Sequence, residues 1–318
     1  MTRQIPGIHH VTAIAGDPQR NIDFYTGVLG LRLVKLTVNF DDPGTYHLYF
    51  GDVAGGPGTA LTFFPWAGAR RGRAGNGQVG AIAFSIPANS LEYWQRRLVE
   101  FGVTTSLPDN RFGETALVLA DPDGLRLELA AHAAAPDATP WADGPVPAEV
   151  AIRGFHSVTL WEAELEPTAR LLTETLGFAP VGEEGPRARF KMSGTRPGTL
   201  VDILHRPGQP AGIGGAGTVH HVAWRTPTDA EQLAWQRDIA MQGYHVTPVQ
   251  DRQYFHSIYF REAGGVLFEI ATDPPGFTLD EPLAALGAGL KLPPWFEPRR
   301  AEIERVLPPL RLPEANRP

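Results

Sequence analysis

One pattern recurs four times along the 318 residues: a short strand, a loop, a helix, then several strands. The clearest pair is GIHHVTAIAGDPQRNIDFYTGVLGLRLV, from Gly7, and GFHSVTLWEAELEPTARLLTETLGFAPV, from Gly154. Weaker copies are VGAIAFSIPANSLEYWQRRLVEFGV and HHVAWRTPTDAEQLAWQRDIAMQGYHV. Aligned on the first strand, the positions matching His9 are Ala81, His156 and His220. A unit this long exceeds a solenoid repeat and fits a supersecondary module used four times. The first strands are rich in β-branched and aromatic residues. Leu91, Trp94, Leu98 and Phe101 share one face of a predicted helix. Gly30, Gly102, Gly177 and Gly243 stand where each helix should end in a left-handed cap. A lone module leaves one face of its sheet bare, so two sheets must curl together.

The expected class is therefore α+β, with four modules forming two curled-sheet cups. Residues 1–137 hold modules 1 and 2, and 152–280 hold modules 3 and 4. The segment ATPWADGPVPAEVA (138–151) reads as the linker. The Pro-rich stretch 281–318 should wrap the body rather than take part in chemistry. Hydrophobic residues make up 42% of the chain, enough for a substantial core. The 35 glycines and 30 prolines predict many turns. A net charge of -7 gives no basic footprint for nucleic acid. No apolar run approaches membrane-spanning length, so the expectation is a cytoplasmic protein with no membrane partner. With no cysteine, a metal site here must use His, Asp, Glu or carbonyl oxygens.

His-His occurs twice, as His9-His10 in GIHHVTAIA and His220-His221 in TVHHVAWRT. Glu269 lies on the apolar strand GVLFEIATD. Two imidazoles and one carboxylate are the ligand set of a non-haem iron site with open positions. In the other modules the residues aligned with His10 are Ile82, Ser157 and His221. Those aligned with Glu269 are Thr62, Glu128 and Asp202. Only a cup made from modules 1 and 4 unites His10, His221 and Glu269, which leaves modules 2 and 3 to pair. Strand alternation turns His10 and Thr12 inward, and His9 and His220 outward unless the strand is bulged. His47, His132, His205 and His245 lack this register and read as structural, as does His156. His256 stands between pocket and packing roles. Glu128 and Asp202 have no histidine beside them to make a second metal site. GDVAGGPG lacks the lysine and strand-to-helix setting of a phosphate loop and reads as a turn.

These residues resemble the vicinal-oxygen-chelate superfamily (glyoxalases, bleomycin-resistance proteins and extradiol dioxygenases), built from paired βαβββ modules. The likeness is greatest to ring-cleaving dioxygenases acting on hydroquinones. It is carried by GIHHVTAIAGDPQRNIDFYTGVLGLRLVKLTVNFDDPGTYHLYFGD, TVHHVAW and DRQYFHSIYFREAGGVLFEIATDPPGF. The resemblance implies Fe(II), less often Mn(II), on His10, His221 and Glu269. It places Thr12, His9, His220, Arg252 and Tyr259 around the metal or substrate. A small aromatic diol and O₂ would be the reactants, in a homo-oligomer. The residues alone leave hydroquinone and catechol open. Two alternatives share the fold: a glyoxalase-type metal-dependent lyase or isomerase, and a metal-free small-molecule sequestering protein. Thr62, where a fourth ligand would stand, argues against the first, and the complete triad against the second.

Overall fold

The computed structural model describes residues 3–133 and 138–313. Positions 134–137 of the first half and 314–318 of the Pro-rich extension lie outside the described residues. Module 1 contributes β1 (Ile8–Ala15), β2 (Arg32–Asn39), β3 (Asp42–Gly51) and β4 (Ala60–Pro65). Module 2 contributes β5 (Gln78–Pro87), β6 (Thr105–Arg111), β7 (Glu114–Ala120) and β8 (Arg126–His132). Module 3 contributes β9 (Phe155–Glu162), β10 (Ala179–Glu184), β11 (Arg187–Lys191) and β12 (Leu200–His205). Module 4 contributes β13 (Thr218–Thr226), β14 (Gln250–Asp251), β15 (His256–Arg261) and β16 (Leu267–Thr272).

One sheet runs β14-β15-β16-β13-β1-β4-β3-β2, and the other β10-β11-β12-β9-β5-β8-β7-β6. The first and last modules thus form one cup and the middle two the other, as the histidine positions require. Each cup is joined at its centre by antiparallel first strands, β1 with β13 and β5 with β9. One apolar core spans both sheets, joining Val11 and Trp224 of the first to Phe84 and Val158 of the second. Gly30, Gly102, Gly177 and Gly243 all have positive φ, between 67° and 87°, where a Cβ would be strained. Among the described residues no helix is long and apolar enough to cross a membrane.

The extension after β16 closes one end of the first cup. Leu290 bridges to Leu36 on the edge strand β2, and the Lys291 N–H donates to the Leu36 carbonyl at 2.9 Å. This pairing covers part of an edge that would otherwise be open. Tyr46 on β3 donates to the Pro308 carbonyl at 2.8 Å. Phe277 and Leu286 fill the cup beside Val34, Tyr49, Tyr254 and Phe255.

Candidate metal centre

The site depends on a β-bulge that the alternation rule does not foresee. On β1, Ile8 faces Trp224 and His10 faces Ala223, so His9 is the extra residue. On β13, His221 faces Thr12 and Val219 faces Ala13, so His220 is extra in the same way. A bulge places two successive residues against one on the partner strand and resets the side-chain alternation. The second cup repeats the device: the unmatched residues between β5 and β9 are Gly80 and His156. Two alignments are corrected. Gly80, rather than Ala81, matches His9, and Ala81, rather than Ile82, matches His10. Ile82 is a core residue. Gly80 is required where it stands, because a Cβ there would lie 2.1 Å from the Trp161 ring.

The bulges supply the one condition under which His9 and His220 would not face away. His9 Nδ1 lies 2.9 Å from His10 Nδ1, and His220 Nδ1 lies 2.8 Å from His221 Nδ1. Each His-His dipeptide therefore forms one imidazole pair joined through its Nδ1 atoms. The far nitrogens of the inner pair converge: His10 Nε2 and His221 Nε2 are 3.3 Å apart. Glu269 Oε2 lies 3.5 Å from the first and 2.9 Å from the second. All three side chains are buried, and their donor atoms lie within 4.8 Å of one another.

Three observations fit this cluster to a metal ion. Glu269 Oε2 is buried with no hydrogen-bond donor aligned on it, despite two nearby ring nitrogens. A buried carboxylate oxygen without such a donor needs a cation close by. Its partner atom Oε1 accepts from Ser257 Oγ, which fixes the carboxylate plane. Burial pushes Glu269 up, but His10 and His221 outweigh it and hold the carboxyl well below its usual range.

His10 and His221 form part of the wall of a cavity of about 420 Å³, and Glu269, within 3.5 Å of both, is not itself in the lining. Tyr259 and Arg252, both expected near the metal, line it. Tyr259 is the neighbour of Glu269 across the β15–β16 ladder, and its ring is 5.8 Å from that of His221. Burial, and next the Glu269 charge, raise the Tyr259 phenol well above its ordinary value. Arg252 Nε donates to Tyr259 Oη at 3.2 Å. A tight turn aims Arg252: the Tyr254 N–H donates to the Arg252 carbonyl at 2.7 Å, with Gln253 at φ 65°. A non-glycine residue in that region carries strain, which favours a positional role for the turn.

His47, read from sequence as structural, lines the same cavity. It bonds Tyr49 Oη through Nδ1 and Thr62 Oγ1 through Nε2, each at 2.9 Å. Thr62 Oγ1 lies 2.7 Å from Thr12 Oγ1. Thr12 is thus buried behind this chain of groups, bonded to Thr62. The signal for His47 lies in register: Tyr49 faces Thr62 across β3–β4, and His47 shares its parity. Phe255 packs its ring 5.0 Å from those of both His9 and His10. His256 is held by Asp229 at 2.6 Å and does not line the cavity.

The second cup replaces imidazoles with guanidinium groups. Glu128 receives Arg111 and Arg126, and Asp202 receives Arg187 and Arg189. The buried carboxylates at the positions matching Thr62 and Glu269 are neutralised by protein cations. Glu114 joins this network through His156 and Arg189 at 2.9 and 2.7 Å. Burial would raise Glu114, but those two partners hold it at about 2. Because its folded value is depressed, its contribution is complete above about pH 4.5 and fades as pH falls towards 2. At ~1.4 kcal/mol per unit, reduced for partial exposure, this is roughly 2 kcal/mol. Glu114→Gln should therefore destabilise the protein near neutrality, with the gap from wild type closing in acid. Urea unfolding at about pH 6 and about pH 3 checks this, and a gap that ignores pH would refute it.

A fold of paired βαβββ modules with a two-imidazole, one-carboxylate cluster inside one cup defines a class. The sequence matches the family described as Glyoxalase/Bleomycin resistance protein/Dioxygenase superfamily over residues 7–129 and 154–279, and the chain belongs to that superfamily. It is 51% identical to MhqO of Bacillus subtilis (strain 168), provisionally named a ring-cleaving dioxygenase, over 99% of this chain and 100% of that one. It is 35% identical to the chlorohydroquinone/hydroquinone 1,2-dioxygenase of Sphingobium indicum, over 96% and 97% of the two chains. A crystal structure of a provisionally named dioxygenase from Bacillus subtilis superposes with a TM-score of 0.95 at 50% identity, covering 98% of this chain and 100% of that one. Glyoxalase I from Zea mays shares the fold, with a TM-score of 0.62 at 16% identity, covering 84% and 92%.

Proposed function

We propose that the protein is an iron(II)-dependent dioxygenase that opens an aromatic diol ring beside one hydroxyl-bearing carbon, in the extradiol manner. Hydroquinones are the favoured substrates. The observation that carries this reading is the convergence of His10 Nε2, His221 Nε2 and Glu269 Oε2 beside an aromatic-lined cavity whose wall includes both histidines. The names of MhqO and of the Sphingobium indicum enzyme support the ring-cleaving part. Bound iron(II), with manganese(II) as the other candidate, supplies a redox-active centre with open positions where a ring hydroxyl and O₂ can meet.

The chain's own groups orient and hold protons. With Nε2 of His10 and His221 turned to the metal, each Nδ1 carries its proton and donates to the histidine before it. His9 then accepts from His10 and bonds onward to the Thr272 main chain. His220 accepts from His221 and borders the cavity. Such outer partners fix ring orientation and tautomer. Tyr259 Oη accepts from Arg252 and borders the cavity, where its hydroxyl proton can be offered to a substrate oxygen. A phenol keeps its proton near neutrality, which suits such a donor. Tyr259→Phe should keep its metal while turnover of the diol falls by roughly 100-fold. Metal analysis alongside oxygen uptake checks both halves of that expectation.

The glyoxalase-type alternative wants a fourth protein ligand. The matching position is Thr62, whose hydroxyl bonds Thr12 and His47. A metal-free sequestering protein would have to balance buried Glu269 with a protonated imidazole in place of a metal ion. Anaerobic loading with Fe(II) or Mn(II), then oxygen uptake with hydroquinone and with catechol, tests the proposal. No diol-dependent oxygen consumption with either metal would overturn it.

A further inference from the structure

The mouth of the metal-side cavity carries an ion pair that decides what charge the cavity offers a ligand. Arg252 is the sole lysine or arginine among the described residues lining it. Its guanidinium is already committed: Nε donates to Tyr259, and Nη2 donates to Asp41 Oδ2 at 3.0 Å. Asp41 sits at the tip between β2 and β3, on the far side of the opening. The tip is fixed by three contacts. Asn39 Oδ1 accepts from the Asp41 N–H at 3.0 Å. Phe40 lies with its ring 5.6 Å from Trp295 of the C-terminal extension. Trp66 Nε1 donates to Asp42 Oδ2 at 2.9 Å. Two carboxylates, Asp41 and Asp42, therefore border an opening whose one guanidinium is taken.

We propose that Asp41 is a specificity-determining residue: by occupying Arg252 it makes the cavity accept uncharged diols and refuse diols that bear a ring carboxylate. This rests on the reading of the site as one for aromatic diols. An incoming carboxylate that reaches Arg252 must lie beside Asp41, whether or not it displaces it, and like charges at that distance repel. An uncharged ring meets the aromatic walls and neutral polar groups such as Tyr259, and has no charge for Asp41 to repel. The side chain of Asp41 is 72% exposed, so the pair adds little to stability.

The test compares equilibrium binding of hydroquinone and 2,5-dihydroxybenzoate to the metal-loaded, oxygen-free protein by calorimetry. Asp41→Asn should tighten 2,5-dihydroxybenzoate by about tenfold, the scale of one freed charge-assisted hydrogen bond. Hydroquinone should change by less than about threefold, since it carries no charge for Arg252 to meet. Asp41→Glu should restore discrimination, and the gain should vanish when Asp41→Asn is combined with Arg252→Met. A merely structural role for Asp41 would move both ligands together, and that result, or no gain for the carboxylated ring, overturns the proposal. Oxygen uptake by the wild-type protein with hydroquinone reports separately on the reading beneath it: uptake with no gain in Asp41→Asn refutes the selectivity role alone. Absence of both uptake and binding refutes the two together.

Discussion

His221→Ala, His10→Ala and Glu269→Gln are each expected to yield a folded protein that no longer retains metal and shows no diol-dependent oxygen uptake above background. The effect should exceed the roughly 100-fold loss produced by removing an outer partner of a metal ligand. Each histidine change deletes one of the three donor atoms found among the described residues, all within 4.8 Å of one another. Glu269→Gln keeps the shape while removing the one negative charge that faces the cation. The same loss should appear in stability. Metal that binds only the folded state contributes about 4 kcal/mol at a thousandfold excess over its dissociation constant. Wild type should therefore melt at a higher temperature with metal than after chelation, and the three variants should show no such difference. Metal content and melting temperature, measured with and without chelator, check this without reference to turnover. A variant that keeps stoichiometric metal and its metal-dependent melting shift would refute the ligand assignment.

The chain's plan was legible because the histidines are placed unequally among four similar modules. Ser157 stands where a pairing of modules 3 and 4 would need a ligand, so the union of the chain's ends followed from residue identity. What escaped was local backbone geometry. A bulge adds one residue and reverses the alternation on which facing arguments rest. Nothing in His9-His10 marks it, so alternation alone turns His9 and His220 outward and only the bulge sets them beside their neighbours. In module 2 the bulged position is Gly80, whose missing side chain makes room for Trp161 and left the alignment one residue out. His47 was hidden for a related reason: its role rests on a neighbouring strand, through Thr62, and not on its own segment. The second cup has a similar lesson. Glu128 and Asp202 have metal-ligand chemistry, yet Arg111, Arg126, Arg187 and Arg189 supply the positive charge. Which cation balances a buried carboxylate depends on strands far away in sequence.

Lys35→Met is expected to destabilise the protein by about 3–5 kcal/mol, the usual consequence of removing one partner from a buried ion pair. Lys35 on β2 is fully buried, and its Nζ meets Asp280 at 2.6 Å and Glu281 more closely still. The same ammonium lies 4.9 Å from the centre of the Tyr254 ring, whose hydroxyl donates to Asp280 at 2.9 Å. Methionine matches the length of the lysine stem but leaves Glu281, almost wholly buried, without its ion-pair partner. The cost should fall mainly on the extension, which these carboxylates anchor to the closed end of the first cup. Phe277 and Leu286 share a cluster there with Phe255, the ring that packs on His9 and His10. A loosened extension should therefore weaken metal retention as well as stability, although Lys35 touches no ligand. Replacing all three groups, as Lys35→Met with Asp280→Asn and Glu281→Gln, should recover much of the lost stability, because neither carboxylate is then left facing a missing ammonium. Urea midpoints of the single and triple variants, with metal content measured on each, decide the matter. A single variant within about 1 kcal/mol of wild type, or a triple variant no better than the single one, would show that the buried lysine is not what holds the extension in place.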